Sequence, residues 1–77
     1  MARDEKLIER IRARPVQADF SDVRRLLELE GWVLARTAGS HHQFTKAGER
    51  TLSVPVHNHR VKRYILNEIC HRLGLDA

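Results

Sequence analysis

Gly31-Trp32-Val33-Leu34-Ala35-Arg36-Thr37-Ala38-Gly39-Ser40-His41-His42-Gln43-Phe44-Thr45 is the stretch on which the fold turns. It opens on a glycine that stops a helix, runs into β-favouring residues, turns at Ala38-Gly39-Ser40 and alternates again from His41 to Thr45. In the first run, Trp32, Leu34 and Arg36 share one face, and Val33 and Ala35 the other. In the second, side-chain parity puts His42 with Phe44 and His41 with Gln43. If Phe44 points into a core, His41 stands on the wet side. A solvent-facing imidazole exchanges protons near neutral pH, which few side chains do. His41 is therefore the first candidate for chemistry.

Working outward, Lys46-Ala47-Gly48-Glu49 closes a hairpin to a third strand, Thr51 to Val54, ended by Pro55. Upstream, Asp4 to Arg14 reads as a helix with Leu7, Ile8 and Ile11 on one side, stopped by Pro15. Val16 to Phe20 reads as a connector. Ser21 is placed as the N-cap of a second helix, Asp22 to about Glu30. Val56 to Val61 reads as a polar loop holding His57, Asn58, His59 and Arg60. The last helix, about Lys62 to Leu73, carries Ile65, Leu66, Ile69, Cys70 and Leu73 as one apolar stripe. The order is α-α-β-β-β-α, an α+β domain with a three-stranded antiparallel sheet, helices on one face and the other face free.

Seventy-seven residues allow one small core and leave no room for a cofactor domain. The net charge of +4 is unevenly spread. Residues 1–30 hold seven basic and seven acidic side chains, whereas residues 31–77 hold seven basic and three acidic ones together with all five histidines. A basic, histidine-rich half suggests a surface that faces a polyanion. The single cysteine, Cys70, excludes an internal disulfide and reads as a buried thiol. No apolar run reaches the ~18 residues of a membrane span and no signal-peptide core is present, so a cytoplasmic protein is expected.

Cutting RNA needs a base for the 2′-hydroxyl, cations for the phosphorus charge and an acid for the leaving 5′-oxygen. One imidazole with several lysines or arginines is a minimal set. His42, on the parity of Phe44, reads first as a half-buried packing residue. His57 and His59 could bind phosphate or assist proton transfer, and with His41 or His42 they make a zinc site imaginable, although the spacing fits no ligand pattern. Lys62 and Arg63, read as the first helical turn, sit where exposed amides and cations grip a phosphate. Tyr64 suits either base stacking or burial, Trp32 the core. His71 fits the negative end of the last helix dipole.

Gly31-Trp32, Arg36, Gly39-Ser40-His41-His42-Gln43-Phe44, Leu52-Ser53-Val54-Pro55 and Leu73-Gly74-Leu75 closely resemble the HicA toxins, small mRNA interferases of bacterial toxin–antitoxin pairs. The resemblance runs from about Phe20 to Leu75. It implies a double-stranded-RNA-binding-like fold and a metal-independent endoribonuclease without cofactor, acting on mRNA. It also implies that the histidine of the Gly-Ser-His motif, here His41, is catalytic, and that a HicB antitoxin covers the active site. On that reading Gly39 and Ser40 let a phosphate approach the backbone, Lys46, Lys62 and Arg63 hold phosphates, and His42, His57 and His59 are auxiliary. Residues 1–15 form an extra N-terminal helix ahead of a HicA-like unit at 16–77. Val61-Lys62-Arg63-Tyr64 departs from the family's Pro-Gly or Lys-Pro entry to the last helix. The rival reading without the resemblance is a non-catalytic RNA- or DNA-binding module on the same basic face. An adaptor for a protein partner is a third.

Overall fold

The computed structural model describes residues 4–76; the first three residues of the N-terminal segment and the last residue lie outside them. Asp4 caps the first helix by accepting from the Leu7 N–H at 3.0 Å, and α1 spans Glu5–Arg12. It ends two residues before the expected Arg14, because Arg14 has already left the helical region at φ 53° ahead of Pro15. Leu7, Ile8 and Ile11 form its buried face.

The connector expected at Val16–Phe20 contains a strand instead. β1 (Gln17–Asp19) leads directly into α2 (Phe20–Leu29), whose N-cap is Asp19 and not Ser21. The Asp19 carboxylate accepts from both the backbone N–H and the hydroxyl of Ser21, each at 3.1 Å. The displaced cap follows from tertiary pairing. Asp19 is held extended opposite Arg60, so it supplies the non-helical backbone that a cap requires.

The main sheet comprises β2 (Val33–Ala38), β3 (His41–Thr45) and β4 (Leu52–Pro55), antiparallel in the order β2-β3-β4. Pro55 ends an edge strand, where a missing N–H is tolerated. The loop expected at 56–61 also folds further than its composition suggests. β5 (Arg60–Lys62) pairs antiparallel with β1 as a separate two-stranded ribbon. Lys62 is thus the last residue of a strand and the N-cap of α3 (Arg63–Arg72), outside the first helical turn.

Phe44, Leu52 and Val54 from the sheet enter one hydrophobic core with Val23, Leu26 and Leu27 of α2 and Leu66 and Ile69 of α3. The α1 residues Leu7, Ile8 and Ile11 belong to the same core. Trp32 is 2% exposed, as expected of a core residue, and the Arg72 guanidinium lies 5.2 Å from its ring centroid. The helices cover one face of the sheet, while every β2 residue except Leu34 is exposed. Among the described residues no helix is long and apolar enough to cross a membrane.

Candidate nucleic-acid interface and active site

β2 and β3 are joined by two residues, Gly39 and Ser40, between the paired Ala38 and His41. Gly39 takes φ 59° while Ser40 keeps a negative φ, the pattern of a II′ hairpin turn that calls for glycine at its first position. The turn fixes the register of β3. His41 is exposed, His42 half-buried and Phe44 fully buried, as the alternation predicts. The His42 ring lies 4.4 Å from that of Phe20 at 50°, and its Nδ1 reaches the Ser40 carbonyl oxygen at 3.3 Å. It packs inward and steadies the turn that presents His41.

His41 pairs across the sheet with Ala38 on one side and Pro55 on the other. The Val56 N–H donates to the Ser40 carbonyl at 2.8 Å, so the segment leaving β4 starts beside the Gly-Ser turn. Immediately after Val56, His57 and Arg60 exchange backbone hydrogen bonds of 3.0 and 2.8 Å, with Asn58 (φ 50°) and His59 (φ 62°) between them. Both central residues are left-handed, which makes a I′-type turn built without glycine. The His59 carbonyl accepts the Phe20 N–H at 2.7 Å, tying this turn to the start of α2. Gln17, His57, Asn58, Arg60 and Lys62 line a pocket of about 180 Å³. The Asp19 carboxyl next to it is held below its ordinary range, first by the Ser21 N–H, then by the Ser21 hydroxyl, with smaller help from Arg60 and His59.

The structure therefore brings together part of the expected set. Gly39, Ser40 and His41 adjoin the segment that carries His57, and Lys62 shares a pocket with His57 and Arg60. Lys46 is not with them. It follows the far end of β3, about 16 Å along the strand from His41, and its side chain lies over Gly31. Arg63 is exposed, but its Nε donates to the Arg14 carbonyl at 2.9 Å and its N–H to the Val16 carbonyl at 3.1 Å. The first helical amide is thus already used, which weakens the phosphate grip expected there. Among the described residues no three His, Cys, Asp or Glu side chains are grouped as a metal site.

The family described as HicA toxin of bacterial toxin-antitoxin matches residues 20–75. The chain belongs to the HicA toxin family. A HicA toxin is one half of a toxin–antitoxin system, so an antitoxin is its partner. No curated protein and no solved structure matches the chain. The match to the HicA family begins at Phe20, so α1 and β1 precede it although both are built into the fold.

One residue with a clear position at this surface was misplaced by sequence reasoning. Simple alternation puts Arg36 with Trp32 and Leu34, facing in. The β2–β3 register shifts between Leu34 and Arg36, where Ala35 is an extra residue in β2. Arg36 therefore pairs with Gln43 and comes out on the face of His41. No glycine or proline marks this bulge, so the sequence carries no local sign of it.

Proposed function

We propose that this HicA toxin is a metal-independent endoribonuclease in which His41 is the general base or acid, neutralised by a HicB-like antitoxin that covers the His41 face. The observation that carries the reading is an exposed imidazole at the first position of β3, fixed by a glycine turn and by the inward packing of its neighbour His42. An oriented base of this kind can take the proton from a ribose 2′-hydroxyl. The 2′-oxygen then attacks phosphorus, the bond to the 5′-oxygen breaks, and the products are a 2′,3′-cyclic phosphate and a 5′-hydroxyl. The leaving oxygen needs a proton donor, and His57, on the segment that starts beside the Gly-Ser turn, is the auxiliary assigned to that role. Arg60 and Lys62 supply cations in the pocket beside His57 and would hold flanking phosphates. Charge distribution agrees: the arginines of the helical half are largely ion-paired, as in Arg10–Asp22 and Arg24–Glu28.

Purified protein incubated with single-stranded RNA in EDTA should cut it, and His41→Ala should reduce the rate by 10²-fold or more, of the order a general base contributes. Binding without cutting by the wild type would establish the rival, a non-catalytic RNA- or DNA-binding module. An alanine variant as fast as wild type would remove His41 from the mechanism.

A further inference from the structure

The outer sheet face carries a second row of side chains next to His41. Cross-strand register sets Arg36 of β2 opposite Gln43 of β3, and Gln43 opposite Ser53 of β4. This row lies one pleat, about 7 Å, from the row of Ala38, His41 and Pro55. It borders an open depression of about 380 Å³ lined by Ala35, Arg36, Gln43, Thr45 and Thr51. Such a volume suits one flat heterocycle.

Its chemistry is specific. Gln43 Nε2 donates to Ser53 Oγ at 3.4 Å, which orients the amide and leaves its carbonyl oxygen as an acceptor. Among the described residues Arg36 is exposed and has no ion pair, unlike Arg10, Arg24, Arg25 and Arg72. Its guanidinium is a planar fork of donors, and the bulge at Ala35 is what brings it to this face. Bulges that turn a side chain toward a working surface are common beside active sites. A donor fork and a fixed acceptor in one shallow pocket form a reader of base edges.

We infer that Arg36, Gln43 and Ser53 form a subsite for the nucleobase flanking the phosphate that His41 serves, and that guanine fits it best. Guanine offers N7 and O6 as adjacent acceptors to the guanidinium fork, and its N–H groups suit the Gln43 carbonyl. The placement beside the scissile phosphate rests on the nuclease reading above, whereas base recognition does not require cleavage.

The test has two arms. In the first, the His41→Ala protein is titrated by fluorescence anisotropy with four single-stranded hexaribonucleotides differing at one central base. The guanine RNA should bind about tenfold more tightly, the discrimination expected of one good bidentate contact. Arg36→Ala and Gln43→Ala, each added to that background, should erase the preference. Arg36→Lys should retain affinity for all four RNAs but not the preference, because it keeps charge without the fork. Equal weakening toward all four bases would reduce Arg36 to a phosphate contact, and no change would remove it from the interface; either result overturns the subsite. In the second arm, cut sites in mixed-sequence RNA are sequenced for wild type and Arg36→Ala, and the variant should lose the base bias next to the cut. Unchanged cut sites overturn the inference. A wild type that binds with base preference yet never cuts would instead sink the nuclease reading and leave the subsite standing.

Discussion

His41 and His42 are adjacent and chemically identical, and the pleat alone gives them different work. His41 faces solvent, while His42 lies against Phe20 and reaches the Ser40 carbonyl. His42→Ala should therefore lower stability by about 1 kcal/mol, the usual worth of an aromatic contact. In a domain of this size that is about 4–8 °C in Tm. Calorimetry beside a cleavage assay separates the two histidines: His42→Ala should melt earlier and still cut, and His41→Ala should melt normally and fail to cut. The parity of both rings was legible in the sequence because Phe44 fixes which side is inside. Arg36 shows the opposite case. Its identity was plain, but one extra residue in β2 reversed its face, and only the cross-strand register reveals that.

At the scale of elements, the cap of α2 couples local and long-range structure. Asp19 holds the Ser21 N–H and hydroxyl while its backbone pairs with Arg60. Its carboxyl is held below the ordinary 3.8, so the unfolded chain takes up a proton at higher pH than the folded one does. The unfolded state binds more protons in that window, and stability rises with pH through it. The contribution is complete above the unfolded value and is lost as pH falls through the folded one. Asp19→Ala should lower Tm by a few degrees at pH 6, with the gap to wild type narrowing below about pH 4. A gap that is constant across pH would mean that the carboxylate does not cap the helix. The β1–β5 ribbon was illegible for a related reason. Three-residue strands have too few alternations to show a period, and their partners lie at opposite ends of the chain.

For the whole molecule, the question is whether α1 is an appendage to the matched segment or part of its core. Ile11 is fully buried, and the Cys70 thiol of α3 lies 3.8 Å from its carbonyl oxygen. Burial pushes that thiol up and suppresses the reactive thiolate. Ile11→Ala should cost about 2–5 kcal/mol, a large share of the total for a single small core. Urea denaturation measures the loss directly, and Cys70 labelling by a thiol reagent should accelerate in step with it. A variant as stable and as unreactive as wild type would show that α1 is dispensable.

The sequence by itself determined the three helices, the three strands of the main sheet, the inward positions of Trp32, Phe44 and the α3 stripe, and the exposure of His41. Each of these follows from short-range periodicity, a turn glycine or a proline, which act within a few residues. Tertiary structure alone decided the ribbon of β1 with β5, the cap at Asp19 and the outward turn of Arg36. Those features depend on which backbone groups find partners across the fold, and hydrogen-bond register between distant strands leaves no mark on the local order of residues.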